Sequence, residues 1–190
     1  MPEGDRPRSF LLVDGENIDA TLGSALLNRR PNPDERPRWD RVRDHVGRVW
    51  EAPARLLFFL NATRGVPMPF VQALTAIGFR PVLLSGPPEV KVVDLAILRT
   101  LEALAEREDG DVLLASHDGE FADHLARLLR AGRRVGVLGF RELMSTALAE
   151  LVDDGAELFD LEDDVGAFAV ALPRLRVVPI DAFDPRPLLD

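Results

Sequence analysis

The sequence has no cysteine and no tyrosine, and only three of its 190 residues are histidine. The absence of cysteine excludes disulfide frameworks, thiol catalysis and cysteine-ligated zinc. Long apolar runs are missing too: stretches such as Leu56–Leu60 and Ala167–Leu172 fall far short of the roughly 20 residues that a membrane-spanning helix needs. The first residues show no apolar run of the signal-peptide type. We therefore expect a soluble, cytoplasmic protein with no membrane partner.

Lysine is nearly absent, since Lys91 is the only lysine among 23 basic residues. The net charge of -9 argues, taken alone, against a partner with a phosphate backbone. The acids are unevenly spread, however. Residues 150–190 hold 11 acids and 3 bases, whereas residues 1–149 hold 21 acids and 20 bases. The acidity is thus concentrated near the end of the chain, and the remaining surface can tolerate a polyanion.

Short apolar runs alternate with stretches of helical period, a pattern typical of βαβ units. We predict an α/β fold of three layers, with a central, mostly parallel sheet of about five strands flanked by helices. The predicted strands are Phe10–Val13, Leu56–Leu60, Phe79–Leu84, Asp111–Ala115 and Val135–Gly139, with Ala156–Phe159 as a last edge strand. The predicted helices are Pro67–Ile77, Val92–Arg107, Phe121–Ala131 and Glu142–Leu151.

The two ends of the chain do not follow this alternation. We predict an N-terminal tail over residues 1–8, one domain over residues 9–160, and an acidic, proline-containing C-terminal extension over residues 161–190. Within the extension, Ala167–Leu172 and Leu175–Ile180 read as strands or as an extended arm. Our hypothesis is that the extension packs across its own domain or across a second copy, which would give a homodimer.

Acidic residues follow two predicted strands and begin the clearest helix. Asp14 ends the first strand, Asp118 follows the fourth, and Asp94 lies at the start of the helix over 92–107. The carboxyl ends of parallel strands meet at one edge of a sheet, so these acids can converge. Glu16 and Glu120 lie two residues beyond Asp14 and Asp118. For each acid alone, a helix cap or a turn is the competing interpretation.

Converging carboxylates repel one another unless a cation compensates their charge. Hard oxygen ligands favour Mg²⁺ or Mn²⁺ over zinc. Such an ion can orient a water for attack on a phosphodiester and neutralise charge on the leaving oxygen. The sequence therefore predicts metal-assisted phosphodiester hydrolysis, in which Asp14, Asp94, Asp118 and Glu120 bind the metal and carry the catalysis.

Three sequence elements resemble those of NYN domains, which belong to the PIN-like nuclease superfamily. They are Phe10-Leu-Leu-Val-Asp-Gly-Glu-Asn-Ile18, Lys91-Val-Val-Asp-Leu-Ala96 and Val112-Leu-Leu-Ala-Ser-His-Asp-Gly-Glu-Phe121, in family order over roughly residues 9–150. The resemblance implies a PIN-like fold, a divalent metal and endoribonuclease or related RNA-processing activity. It implies that Asp14, Asp94 and Asp118 are metal-site acids and that Asn17 supports the first loop.

The sequence also departs from the family pattern. Glu120 stands where Asp is usual, His117 stands where Gly is usual, and Thr100 stands where some relatives carry a further acid. This thinner acid set favours an alternative function, a catalytically weak or inactive module that binds RNA. A third interpretation is a phosphatase of the haloacid-dehalogenase type, whose residue order Asp14, Ser85, Lys91 and Asp118 loosely follow. That family expects a second Asp where this chain has Glu16.

We predict that Asn17, Lys91 and Ser116 support the site. Lys91 either contacts a phosphate or balances the charge of the acids, and the alternative is a solvated loop lysine. Ser116 bonds either a phosphate or its own loop. For His117, a general base is one interpretation, but we favour a partly exposed side chain at the rim of the site.

Seven arginines crowd residues 29–48 and give this segment a local balance of +3. We predict that Arg36, Arg38, Arg41 and Arg43 contact RNA phosphates, which position a substrate without reading its sequence. The alternative is a solvated helix of mixed charge. Replacing the four with Ala should weaken RNA binding and flatten its salt dependence.

Overall fold

One parallel sheet organises the chain. It is seen in a computed structural model that describes residues 9–51, 53–107, 109–175 and 178–189. Within these residues the strands are β1 (Ser9–Asp14), β2 (Ala54–Asn61), β3 (Arg80–Leu84), β4 (Asp111–Ala115), β5 (Val135–Gly139) and β6 (Glu157–Asp160). They lie in the order β3-β2-β1-β4-β5-β6, and each neighbouring pair is parallel. The predicted edge strand is therefore present as β6.

Helices connect these strands and cover both faces of the sheet. They are α1 (Gly15–Thr21), which continues as a π-helix over Leu22–Leu27, α2 (Trp39–Trp50), α3 (Met68–Ala76), α4 (Val92–Ala105), α5 (Ala122–Arg130) and α6 (Thr146–Glu150). Short 3-10 turns lie at Pro33–Glu35, Gly119–Phe121, Arg141–Leu143, Ile180–Ala182 and Arg186–Leu188.

The strand β1 separates two buried layers. Its side chains alternate in direction: Leu11 and Val13 pack in the layer that contains α2, and Phe10 and Leu12 pack in the layer that contains α4 and α5. All six residues of β1 are buried. A sheet buried on both faces by helices is the three-layer α/β arrangement that the sequence predicts.

The order of the strands reverses beside β1. The chain first builds β2 and β3 on one side of β1, then returns to place β4 on the other side, where Val13 of β1 is in register with Ala115 of β4. The connections that leave β1 and β4 therefore diverge at the carboxyl edge of the sheet. In open parallel sheets such a reversal leaves the crevice in which sites form.

Two predicted helices differ from the observed ones by more than one residue at an end. The helix predicted to reach Arg107 ends at Ala105. The helix predicted over Glu142–Leu151 is wrong in its first part, where a 3-10 turn lies instead. The Ser145 side chain accepts a hydrogen bond from the N–H of Leu148 and so begins α6 at Thr146.

The first part of the C-terminal extension packs on its own domain. Leu161, Val165, Ala167 and Phe168 belong to the same buried layer as α2. Farther along, Ile180, Leu188 and Leu189 are at least 74% exposed. The division of the chain at residue 160 and the homodimer stay predictions. The predicted tail over residues 1–8 lies outside the described residues, as do Arg176 and Val177 of the predicted segment Leu175–Ile180.

None of the helices in the described part of the chain has the length and apolarity to cross a membrane.

Candidate metal centre

Three carboxylates meet at the carboxyl edge of the sheet. Asp94 lies in the first turn of α4, Asp118 follows β4, and Glu120 lies in the 3-10 turn that comes next. Each can offer one oxygen such that all three oxygens lie within 4.8 Å of one another. Asp94 and Asp118 are half-buried, and Glu120 is exposed. The structure therefore brings together three of the four acids predicted to bind metal, and we call Asp94, Asp118 and Glu120 the carboxylate group.

The loop after β4 fixes two members of this group relative to each other. Asp118 caps the 3-10 turn, since its Oδ1 accepts a hydrogen bond from the N–H of Glu120 at 2.9 Å. The capping role and the ligand role are thus compatible, because one carboxylate oxygen faces the backbone and the other stays available. Glu120 is held through its backbone, and its side chain is exposed and lies near Lys91.

Lys91 lies directly beside the carboxylate group. Its Nζ is 3.3 Å from Oδ2 of Asp94 and 3.6 Å from Oε2 of Glu120. The hydrogen bond with Asp94 and the charges of Asp94, Glu120 and Asp118 raise the pKa of Lys91. The Lys91 side chain is 68% exposed, so the ammonium lies near the acids but remains in contact with solvent. Of the two interpretations of Lys91, the one that balances the acids agrees with this position.

Asp14 adjoins the carboxylate group from the interior. It is 2% exposed, its Oδ1 accepts a hydrogen bond from the N–H of Asn17 at 3.0 Å, and its Oδ2 accepts one from the hydroxyl of Ser116 at 3.2 Å. Burial raises the pKa of Asp14 to about 6, and the charges of Asp94 and Glu16 add to this effect against the two hydrogen bonds. Asp14 is thus a buried carboxylate, unlike the half-exposed acids of the group.

Ser116 connects the two kinds of acid. Its hydroxyl donates to Asp14 and accepts a hydrogen bond from the N–H of Asp118 at 3.2 Å. Ser116 is fully buried, and its hydroxyl contacts Asp14 at the end of β1 as well as Asp118 in its own loop. Of its two predicted roles, the structure shows the loop contact.

Asn17 spans the crevice between the loops that follow β1 and β4. Its Oδ1 accepts hydrogen bonds from the backbone N–H of His117 at 2.9 Å and lies 3.0 Å from Nδ1 of the His117 ring. Its own backbone N–H holds Asp14. Asn17 therefore connects the loop after β1 with the loop after β4, and its supporting role in the site stays a prediction.

The expectation of a partly exposed rim position for His117 is wrong. The ring is 6% exposed, stacks on Phe140 with centroids 5.5 Å apart, and accepts a hydrogen bond at Nε2 from the N–H of Phe140 at 2.8 Å. Burial lowers the pKa of His117 to about 4. Both ring nitrogens are engaged, so the ring does not serve as a free general base.

Two residues near His117 escaped the sequence analysis. Gly139 ends β5, and a Cβ there would lie 2.8 Å from Nε2 of His117, so only glycine permits this approach. Arg174 lies in the C-terminal extension with its side chain 2% exposed, and its guanidinium stands 5.2 Å from the centroid of the Phe140 ring. A glycine that ends a strand is a detectable signal, but nothing local marks Arg174.

The predicted RNA-binding arginines all contact acceptors within the chain. Arg36 forms two hydrogen bonds to Asp19, and Arg38 lies 3.4 Å from Asp40. Arg41 donates to the carbonyls of Gly166 and Phe168, and Arg43 donates to Asp44 and to the carbonyl of Ile77. An RNA contact by these residues stays a prediction, and Arg41 has the additional effect of holding the C-terminal extension against α2.

Two solved structures and one family model match this chain. The structure resembles that of a protein of unknown function from Vibrio parahaemolyticus, with a TM-score of 0.64 and 20% identity, covering 87% of this chain and 99% of that one. YcaC from Pseudomonas aeruginosa is a more distant match, with a TM-score of 0.43 and 16% identity over 85% of this chain and 80% of that one. No curated protein matches the sequence. The model of the NYN domain family matches residues 8–158, which contain the carboxylate group, and the chain therefore belongs to the NYN domain family.

Proposed function

We propose that this protein is a metal-dependent ribonuclease that hydrolyses phosphodiester bonds within RNA. The observation that carries the proposal is the carboxylate group, whose oxygens converge within 4.8 Å at the strand-order reversal of an NYN domain. Its donors are all carboxylate oxygens, which suit Mg²⁺ or Mn²⁺. Their proximity is unfavourable unless a cation offsets the repulsion.

The four carboxylates have different roles in this proposal. Asp94, Asp118 and Glu120 would hold the ion, and Asp14 is the fourth catalytic carboxylate, joined to Asp118 through the Ser116 hydroxyl. A bound ion would supply an activated water and neutralise charge on the leaving oxygen. The hydrogen bonds that Asp14 and Ser116 make keep the loops after β1 and β4 in one arrangement, so that the acids are preorganised.

Contacts to the RNA backbone come from basic residues in this proposal. Lys91 adjoins the acids and would contact a phosphate next to the cleaved bond. Phosphates farther along the RNA would be contacted by Arg36, Arg38, Arg41 and Arg43. Because Arg41 also holds the extension, the informative variant is the Arg36→Ala, Arg38→Ala pair. It should weaken RNA binding and flatten the salt slope, whereas an unchanged slope would rule out these contacts.

Catalysis is tested on single-stranded RNA with Mg²⁺ or Mn²⁺. Replacing Asp118 or Asp94 by Asn should lower the cleavage rate about 100-fold or more. The matched control is Asp109→Asn, since Asp109 is an exposed acid paired with Arg107 at the other end of β4. Cleavage that survives both Asp14→Asn and Asp118→Asn would come from a contaminant or another site and would overturn the proposal.

A second candidate function is an RNA-binding module with weak or no turnover. The position of Lys91 favours it, because its ammonium already lies within 3.6 Å of two members of the carboxylate group and offsets part of their charge. Tight RNA binding with no cleavage in either metal, and no heat of Mn²⁺ binding, would establish this function. A phosphatase of the haloacid-dehalogenase type fits less well, because the chain belongs to the NYN family and both oxygens of the Asp14 carboxylate are engaged by Asn17 and Ser116 rather than open for attack on a phosphoryl group.

We also propose a homodimer formed through the C-terminal extension, acting in the cytoplasm, where RNA is available. The apolar side chains Ile180, Leu188 and Leu189, all at least 74% exposed, support an interface at this end of the chain. Light scattering of the full chain and of a Leu188→Asp, Leu189→Asp variant tests it. Equal, monomeric masses for both proteins would refute the dimer.

A further inference from the structure

The ring of His117 has an arrangement of donors and acceptors that admits one tautomer. The N–H of Phe140 is a donor only, so Nε2 of His117, 2.8 Å away, must accept and carries no proton. The single proton of the neutral ring is therefore on Nδ1. Nδ1 lies 3.0 Å from the side chain of Asn17 and donates to it.

The same reasoning fixes the orientation of the Asn17 amide. The backbone N–H of His117 also donates to this atom of Asn17, at 2.9 Å. An atom that receives two N–H donors must be the carbonyl oxygen Oδ1, and its two lone pairs are then both used. Oδ1 cannot serve a metal ion as well, and the amide group Nδ2 is turned away from His117. Within the described residues, Nδ2 has no acceptor in the chain.

We propose that His117 is a positioning residue that makes Asn17 a hydrogen-bond donor to an RNA phosphate, rather than a metal ligand. This inference rests on the proposed function. The Asn17 backbone holds Asp14, and Ser116 links Asp14 to Asp118, so the amide belongs to the same loops as the acids. The Asn17 amide is a hydrogen-bond donor of fixed direction close to several carboxylates, and such a donor can bind an anionic phosphate oxygen. Because the amide is uncharged, it does not compete with a cation for the carboxylates.

The C-terminal extension supports this ring from behind. His117 stacks on Phe140, and Phe140 stacks in turn on Phe168 at 5.7 Å and carries the Arg174 guanidinium at 5.2 Å. Arg174 is anchored by both oxygens of Asp160, at 2.6 Å each. Phe168 and Arg174 lie beyond residue 158, where the family match ends. The extension thereby fixes the plane of a ring that stands where the family usually has glycine.

The tautomer is tested directly, without reference to activity. Long-range ¹H–¹⁵N spectra of the full-length ¹⁵N-labelled protein distinguish a protonated from a bare ring nitrogen, and a His117→Gln spectrum assigns the resonance among the three histidines. We expect a protonated Nδ1 and a bare Nε2. A protonated Nε2 would reverse the amide of Asn17 and overturn the inference.

The role of the amide is tested by Asn17→Asp, which keeps an acceptor for His117 and removes both N–H donors but adds a negative charge; the uncharged Asn17→Ala must therefore show the same loss with RNA. We expect kcat/KM for single-stranded RNA to fall about 10- to 100-fold, through lost phosphate contact, while the Mn²⁺ dissociation constant does not increase. Asn17→Ala should leave Mn²⁺ binding within about twofold of wild type, because Oδ1 is not a ligand. Weakened Mn²⁺ binding by Asn17→Ala would show a ligand and contradict the proposal.

Failure of the proposed function is distinguishable from failure of this inference. If the wild type cleaves no RNA with either metal, the readout becomes the dissociation constant of a labelled single-stranded RNA. Asn17→Asp should weaken that binding, and His117→Gln should weaken it less, because the freed amide still donates in part of its orientations. The matched control His124→Gln replaces a half-buried histidine of α5. Unchanged RNA binding in Asn17→Asp would overturn the inference even in an inactive protein.

Discussion

Arg174 offers the sharpest prediction about stability. Its side chain is 2% exposed and forms two hydrogen bonds of 2.6 Å to Asp160, whose side chain is 1% exposed. It also pairs with Glu142 and Glu162. The perturbation is Arg174→Met, which removes the charge but keeps much of the apolar volume beside Phe140. The loss then reports the uncompensated carboxylates rather than a cavity.

The expected loss is large because one partner of a buried pair remains behind. Breaking such a pair costs about 3–5 kcal/mol, compared with a total free energy of unfolding of about 5–15 kcal/mol for a domain. For a chain of this size, each kcal/mol lowers the melting temperature by about 2–4 °C. Arg174→Met should therefore be clearly visible in both chemical and thermal unfolding.

The pH dependence has a definite sign. Burial alone would raise the pKa of Asp160, but hydrogen bonds from Arg174 and from the backbone N–H groups of Arg141, Asp163 and Glu162 hold that pKa well below its usual range. A carboxyl with a lowered folded pKa stabilises the protein above its unfolded pKa of about 3.9, and this contribution is lost as the pH falls through the folded value. The difference between wild type and Arg174→Met should thus be full at pH 7 and shrink in acid.

Urea unfolding at pH 7 and in acid measures this difference, and Arg186→Met is the control. Arg186 is also an arginine of the extension, but its side chain is 86% exposed and pairs only on the surface with Asp184 at 2.7 Å. Its substitution should change the free energy of unfolding by less than about 1 kcal/mol. If Arg174→Met is no more destabilising than Arg186→Met, the buried pair is not what holds the extension, and the reasoning is refuted.

Three further predictions concern the site. Gly139→Ala should lower the free energy of unfolding by about 1–3 kcal/mol, because its Cβ would lie 2.8 Å from Nε2 of His117. Gly47→Ala should raise the free energy of unfolding by about 0.5–1 kcal/mol, since no atom lies within 4 Å of the added Cβ. Equal effects of the two substitutions in urea unfolding would contradict the clash. Burial raises the pKa of Asp14 from 3.8 to about 6. As the pH rises from about 4 to about 6, the metal-free wild type should therefore lose up to about 3 kcal/mol of its free energy of unfolding relative to Asp14→Asn. A constant difference between the two proteins across this range would show that Asp14 is not desolvated. Lys91→Arg should weaken Mn²⁺ binding about tenfold in calorimetry, and an unchanged affinity would show that residue 91 does not compete with the ion.

The positions of the acids could be predicted from sequence because topology alone determines them. Asp14 ends β1, Asp118 follows β4 and Asp94 lies in the first turn of α4, as the alternation of apolar runs and helical periods predicts. Parallel strands point their carboxyl ends to the same edge whatever the details of packing. The sheet itself, including the edge strand β6, follows from the same short-range pattern.

The environment of each acid could not be predicted in this way. The burial of His117 depends on Phe140, 23 residues away, and on the glycine that precedes it. The extension shows no period, because Leu161 and Val165 reach the core from turns and Phe168 from irregular backbone, rather than from one face of a helix or strand. Sequence patterns report regular elements, whereas a buried polar contact depends on partners that only the fold brings together.

The single lysine has a physical reason at this position. An arginine at residue 91 would present a planar fork matched to a carboxylate and would bind Asp94 or Glu120 through two hydrogen bonds, in direct competition with a cation. The Lys91 ammonium instead stands 3.3 and 3.6 Å from these two acids, on a side chain that is 68% exposed. In the proposed function, a point charge on a flexible stem would offset the repulsion of the acids when no cation is bound and would turn toward a phosphate when one is. The other 22 basic residues of the chain are arginine. Lysine at residue 91 differs from them because it can move away from the carboxylates without breaking a bidentate pair.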